Sequence, residues 1–254
     1  MEALTVLLIG LCVGSFLNVV IHRVPQGMSL VRPPSTCPRC RKEIKPYDNI
    51  PVLSFLLLGG KCRFCRAPIS WRYPLVELAT ALTFVLLWRR FGLGPEFFAG
   101  CVFSAALIAL SVIDFYHQIL PEVITLPLIG LALGWSFFRP GFGIGPALLG
   151  AGVGAGFLLL IYGIYYLVRK REGLGLGDVT LLILIGAFLG WRLVILTLVL
   201  ASFAGALVGI FLLSVRKKGL QHALPFGTFL GPAAVAALLW GDRIITAYLG
   251  MFPK

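Results

Sequence analysis

Four of the six cysteines form two C-x-x-C pairs, Cys37-Pro-Arg-Cys40 and Cys62-Arg-Phe-Cys65, with 21 residues between them. Two such pairs can present four thiolates tetrahedrally to Zn²⁺ while the intervening residues close a ribbon. Four sulfurs leave no open position for water, so such a metal would be structural. Two disulfides or four idle thiols would also satisfy the spacing; a loop facing a reducing cytosol disfavours the disulfides, and zinc is the reading put first. Neighbouring Arg and Lys would help keep the thiols ionised. Cys12 and Cys101 fall inside apolar runs, where a thiol serves as a small buried hydrophobe. A second chemistry belongs to Asp114 and Asp178, two carboxylates at the ends of apolar runs. Carboxylates at membrane depth are costly and point to function. Two that share one site cannot both ionise easily, so one keeps its proton while the other acts as base, the aspartic protease arrangement. The base takes a proton from water, water attacks a peptide carbonyl, and the acid protonates the carbonyl oxygen and later the leaving amine. The alternative is that both residues cap helices or sit solvated at the interface, and Asp178 is well placed for an N-cap.

These residues must be positioned by membrane helices. Of 254 residues, 59% are hydrophobic and 13% charged, with a mean hydropathy of +0.96. That balance excludes a soluble domain, a disordered chain, a collagen and a small disulfide scaffold. A spanning helix needs about 20 mostly apolar residues. Eight runs approach this, at 3–21, 73–90, 97–113, 119–138, 146–168, 178–190, 193–214 and 227–248. The run at 178–190 makes only about 20 Å of helix against about 30 Å of hydrocarbon, which would recess Asp178 in a wet cavity between helices. Only Gly190-Trp191-Arg192 separates it from the next, so a tight hairpin is expected there. The first run lacks a basic leader and a small-residue cleavage site and reads as a helix rather than a signal peptide.

The fold class is thus an all-α polytopic membrane protein of about eight transmembrane helices. Its divisions are a first helix at 1–21, a four-Cys cytoplasmic loop at 22–72 and a helical bundle at 73–254. The loop holds ten basic residues against Glu43 and Asp48. If it is cytoplasmic, alternation also places Arg169-Lys170-Arg171 and Arg216-Lys217-Lys218 inside, giving sixteen basic residues inside and six outside. The positive-inside rule then sets both termini outside and both aspartates at the cytoplasmic face. The net charge of +12 is explained by this topology and by the anionic leaflet, with membrane lipid as the partner. Because topology accounts for the basic excess, no stacking groove for nucleic acid is expected in the loop.

Three stretches resemble the type IV prepilin peptidase (prepilin leader peptidase/N-methyltransferase) family. The first is Gly14-Ser15-Phe16-Leu17-Asn18-Val19-Val20-Ile21-His22-Arg23 with the four-Cys loop behind it, including Tyr47-Asp48-Asn49-Ile50-Pro51 and Ile69-Ser70-Trp71-Arg72-Tyr73-Pro74-Leu75-Val76-Glu77. The second is Asp114 followed by Leu120-Pro121, and the third is Gly175-Leu176-Gly177-Asp178 with Pro225-Phe226-Gly227. The chain departs from the family pattern at Glu122, Thr180 and Thr228, none of which removes a carboxylate.

The resemblance implies a bifunctional enzyme of the bacterial inner membrane. It would cut the basic leader from type IV prepilins or pseudopilins and methylate the new N-terminus with S-adenosylmethionine. Asp114 and Asp178 would be catalytic, and Cys37, Cys40, Cys62 and Cys65 would be the zinc ligands. No Gly-rich dinucleotide fingerprint occurs, so a conventional cofactor fold is excluded. Glu77, an intramembrane carboxylate, is a candidate to face the sulfonium or the substrate amine. Asp48 and Arg72 are candidates for polar ends of the cofactor. The alternative pairs Glu77 with Arg72 to anchor the loop. Asn18 would hold either a neighbouring helix or the substrate backbone, and Gly175 and Gly177 would let a substrate strand approach closely. Two rival functions are a peptidase without methyltransferase activity and a non-enzymatic membrane scaffold or transporter.

Overall fold

A computed structural model describes residues 1–170, 175–215 and 225–251. Arg171, Arg216, Lys217, Lys218, His222 and Lys254, used above for topology or weighed as ligands, lie outside the described residues. The described chain is helical: α1 (Glu2–Arg23), α2 (Leu53–Leu57), α3 (Arg72–Phe91), α4 (Pro95–His117), α5 (Glu122–Phe138), α6 (Ile144–Arg169), α7 (Leu176–Leu189), α8 (Trp191–Val215) and α9 (Gly227–Leu249). Apart from the short α2 in the loop, these helices coincide with the eight apolar runs. Five of them, α1, α4, α6, α8 and α9, have both the length and the apolarity to cross a membrane, while α5 and α7 are shorter apolar helices. The protein is a multi-pass membrane protein, with five such helices where eight spans were expected.

The chain divides into two units, Met1–Ala109 and Leu110–Lys254, with the boundary inside α4. In the first unit, α1 packs along α3. A Cβ added to Gly14 would lie 2.6 Å from the Glu77 Cα, and one added to Gly10 would lie 2.6 Å from the Ala81 Cα. This is the small-xxx-small seam by which membrane helices bring their backbones together. One turn further along the same face, Asn18 Nδ2 donates to the Tyr73 carbonyl at 3.1 Å and ties the two helices by a side chain.

In the second unit, α7 is hydrophobic all round and buried from Val179 to Leu189 apart from Thr180 and Ile183, as suits a helix enclosed by neighbours. It packs on α5, α6, α8 and α9. The expected hairpin is present: α7 ends at Leu189, Gly190 turns the chain at φ +84, and α8 starts at Trp191. With 14 residues, α7 is about 21 Å long, so its first turn lies short of a full bilayer crossing.

Candidate active site and metal centre

The four-Cys loop folds as two superimposable knuckles. In the first, Cys37 N–H donates to the Lys42 carbonyl at 2.9 Å; in the second, Cys62 N–H donates to the Ala67 carbonyl at 2.8 Å. Each knuckle places an Arg at positive φ, Arg41 at +57 and Arg66 at +56. Each is flanked by one isolated antiparallel bridge, Thr36 with Glu43 and Lys61 with Pro68. One contact ties the second knuckle to the turn between the two, and two more tie the knuckles to each other. Arg63 Nε donates to both Asp48 carboxylate oxygens at 3.0 and 2.9 Å, Lys42 Nζ lies 4.8 Å from the Phe64 ring centre, and Cys37 Sγ lies 3.8 Å from Cys65 Sγ.

All four sulfurs fall within 4.8 Å of one another. A tetrahedron with Zn–S bonds of about 2.3 Å has S···S edges of about 3.8 Å, so the donor set fits that ion. A disulfide needs about 2.05 Å between sulfurs, and all six cysteines are free thiols. The N–H groups of Cys65 and Phe64 bring the Cys62 thiol down to about 6. For Cys65 the Ala67 N–H pulls the other way, yet burial and the facing thiols push it up to about 11. A metal entering here therefore displaces protons, as thiolate sites do.

The residues expected at a methyl-donor site are spread out. Asp48 is engaged by Arg63, whose guanidinium holds the carboxyl below its ordinary value. Arg72 lies over the Tyr73 ring, 5.1 Å from its centre. Glu77 is buried at 6% exposure; its Oε2 accepts the Val52 N–H at 2.7 Å. Val52 sits at φ +60, ψ −48 in a γ-turn closed by Leu53 N–H to the Pro51 carbonyl at 2.6 Å. A β-branched residue in that conformation is strained and persists only when its surroundings over-determine it. Glu77 is one such restraint, fastening the loop to α3. Asn18, 2% exposed, has its Nδ2 engaged with Gly14 and Tyr73 while its Oδ1 has no partner.

In the second unit the two aspartates come together. Asp114 lies in the last turn of α4 and is 5% exposed. An acid there opposes the negative end of the helix dipole, so capping cannot explain it. Asp178 is the third residue of α7, whose cap position is Gly175; its N–H donates to the Gly175 carbonyl at 3.1 Å. The N-cap role considered for Asp178 is thus not the one it occupies. The link between the two is the start of α9. Thr228 N–H donates to Asp114 Oδ2 at 2.7 Å, and the adjacent Gly227 faces Asp114 Oδ2 and Leu120, the same residue that packs on Gly177 beside Asp178. The N-terminus of α9 therefore holds the Asp114 carboxyl, and Asp178 lies in the first turn of α7, a second positive helix end. That is how an apolar bundle tolerates two acids side by side.

Leu120, in the α4–α5 turn, packs against both halves of this arrangement. A Cβ on Gly177 would lie 3.0 Å from Leu120 Cβ, and one on Gly227 would lie 3.1 Å from Leu120 Cδ1 and 2.9 Å from Asp114 Oδ2. Gly177 thus makes room for Leu120, whereas a Cβ on Gly175 would meet only Asp178 Oδ2 at an ordinary 3.8 Å. Thr180, where the family pattern differs, returns its hydroxyl to the Gly177 carbonyl at 2.9 Å. Thr228, Leu120 and Ser111 were not singled out as site residues from the sequence; the only signal was their presence within or beside the quoted motifs. Gly227→Ala is expected to push Asp114 off its amide and lower peptide hydrolysis about 100-fold, since a displacement near 1 Å costs that much. Initial rates on a purified substrate check it, and an unchanged rate would show the site has slack.

Comparison with known proteins bears on all of this. Residues 8–91 match the family described as Bacterial Peptidase A24 N-terminal domain, and residues 101–210 match the Type IV leader peptidase family. A prepilin leader peptidase/N-methyltransferase of Pseudomonas aeruginosa is 42% identical over 97% of this chain and 93% of its own length. Proteins of the same name from Stutzerimonas stutzeri and Aeromonas hydrophila are 40% and 39% identical, each over 97% of this chain and 93% of theirs. No solved structure matches the chain.

Proposed function

Because the chain belongs to the type IV leader peptidase family, we propose that it removes the basic leader of type IV prepilins or pseudopilins and then methylates the freed N-terminal amine. The observation that carries the first activity is the Asp114 carboxyl held on the Thr228 amide of α9, with Asp178 in the first turn of α7 gathered to the same place around Leu120. One carboxylate takes a proton from water, the resulting hydroxide equivalent attacks the scissile carbonyl, and the second carboxyl protonates its oxygen. As the tetrahedral species collapses, the C–N bond breaks, the proton held by the first carboxyl passes to the leaving amine, and the second carboxylate takes back a proton from the diol hydroxyl. The dyad is then ready for another turnover. The substrate is a hydrophobic helical stem whose basic leader stays on the cytoplasmic side, with Gly175 on the open side of Asp178 to admit its backbone.

The second activity falls to the N-terminal unit. S-adenosylmethionine supplies the methyl group; the chain's part is to place a neutral amine and to counter the positive charge of the donor. Of the three residues weighed for that role, Glu77 is the buried acid. Asp48 serves the loop through Arg63 instead. Zinc on Cys37, Cys40, Cys62 and Cys65 would be structural, holding the two knuckles as one body. The charge bias puts the loop and both aspartates at the cytoplasmic face of the inner membrane.

Mass spectrometry of a prepilin incubated with the purified enzyme and S-adenosylmethionine tests both activities together. The expected product is cleaved after the final residue of the leader and carries one methyl increment. Cleavage without the increment would leave a peptidase alone, and no cleavage by a folded sample would return the scaffold or transporter reading. Glu77→Gln is expected to lower methylation at least tenfold with cleavage unchanged; equal methylation by this variant would remove Glu77 from the proposal.

A further inference from the structure

Thr228 touches Asp114 twice. Its backbone N–H reaches Oδ2 at 2.7 Å, and its hydroxyl lies 3.2 Å from the same oxygen. That hydroxyl is also 3.3 Å from the Ser111 carbonyl oxygen, one turn earlier on α4. A threonine hydroxyl has one hydrogen to donate and lone pairs to accept, so it cannot donate to both oxygens at once. The geometry gives it a use for each choice. With Asp114 ionised, the O–H donates to Oδ2. With Oδ2 protonated, the O–H turns to the Ser111 carbonyl and the hydroxyl oxygen accepts from Oδ2–H. The backbone N–H remains on Oδ2 throughout and keeps the carboxyl from rotating. The Ser111 side chain braces the segment from the other side, with its Oγ 3.4 Å from the Gly227 carbonyl oxygen.

We propose that Thr228 is a positioning residue for peptide cleavage: its hydroxyl rotates between Ser111 and Asp114, so that Asp114 has a partner both before and after it takes the proton from water. The point matters because an unpaired polar group in a buried site costs the full desolvation of that group, and catalysis is fastest when no reorganisation is left to the moment of reaction. A valine of the same shape would keep the backbone N–H and lose only the exchangeable hydroxyl. A serine would keep both.

The inference rests on the Asp114–Asp178 reading, so the experiment includes Asp114→Asn. Steady-state cleavage of a purified prepilin is measured for wild type, Thr228→Ser, Thr228→Val and Thr228→Ala. Thr228→Ser is expected to retain kcat within about threefold. Thr228→Val and Thr228→Ala are each expected to lose about ten- to a hundredfold in kcat, the worth of one charge-assisted hydrogen bond, with KM within about twofold. Two variants of different size guard against a packing defect in either. Wild-type kcat in both, an equal loss in Thr228→Ser, or an effect confined to KM would each overturn the proposal. If Asp114→Asn still cleaves, the dyad reading falls instead; if it is dead while Thr228→Val and Thr228→Ala are fully active, only the role of Thr228 is lost.

Discussion

Asp114→Asn and Asp178→Asn are each expected to reduce prepilin cleavage by about 10⁴-fold or more while the protein stays folded. Asparagine keeps the shape of the side chain and an amide oxygen that can accept a hydrogen bond. In Asp114→Asn that oxygen can still take the Thr228 N–H, now held at 2.7 Å by Oδ2, and in Asp178→Asn the side chain keeps its place in the first turn of α7. The structural function of each residue therefore survives and only proton transfer is lost. A structural role would predict the opposite pattern, because an uncharged side chain in an apolar bundle is less costly than a carboxyl. The double variant should be no worse than either single one, since residues that act as a unit are not additive in their loss. Cleavage rates that fall only a few fold, or that fall independently and multiply, would mean that the hydrolytic water is activated elsewhere. Methylation of a pilin supplied already cleaved should persist in both variants, which provides the check on folding that a simple loss of activity cannot.

Most of the scaffold was readable from periodicity and composition, because membrane helices announce themselves by long apolar runs and the four cysteines by their spacing. The turn at Gly190 followed from a charge, Arg192, that an unbroken helix would have buried. What could not be read were contacts between residues remote in the chain. Nothing local in Thr228 says that it meets Asp114, 114 residues away, and nothing in Leu120 says that it fills the space left open by both Gly177 and Gly227. The number of full spans was not settled by the sequence for a related reason. A run's hydropathy does not say whether its surroundings are lipid or protein, and α7, the most enclosed helix of its unit, needs no length to face lipid along its sides.

The polar residues of the loop show the same limit from another side. Asp48 and Arg72 were grouped with Glu77 because all three are charged and flank the cysteines. The fold separates them: Asp48, in the turn between the knuckles, bridges to Arg63 of the second, and Glu77 is inside the α1–α3 pair, fastened to the strained Val52 turn. Asn18, weighed for a neighbouring helix or the substrate backbone, donates to the Tyr73 carbonyl of α3, while its buried Oδ1 has no partner. Charge and proximity in sequence identified the neighbourhood, and only tertiary structure could divide it between architecture and chemistry.

Removing the metal should divide the two activities. The loop is about fifty residues long, near the size at which a hydrophobic core no longer suffices and a metal or disulfide staple is needed. Around it are exposed Leu53, Leu56, Leu57 and Trp71, so little apolar surface is buried to hold it together. The contacts that hold the loop without metal are the Asp48–Arg63 pair, with Arg63 47% exposed, and the Lys42–Phe64 stack; such contacts are worth about 1 kcal/mol or less each. Structural zinc in small domains contributes about 10–16 kcal/mol at neutral pH. The purified protein is therefore expected to carry one zinc per chain, and Cys40→Ser or a strong chelator should make the loop's Lys and Arg bonds accessible to trypsin. Methylation should fall at least tenfold, because the Val52 turn that Glu77 holds belongs to the same loop. Cleavage should stay within about fivefold, because Asp114, Asp178 and Thr228 all belong to the second unit. Replacing Cys12 and Cys101 together with serine should change none of these readings. If the metal-free protein keeps its loop protected and its methylation intact, the four thiols do not form a structural metal site. If cleavage collapses along with methylation, the two activities do not divide between the two units.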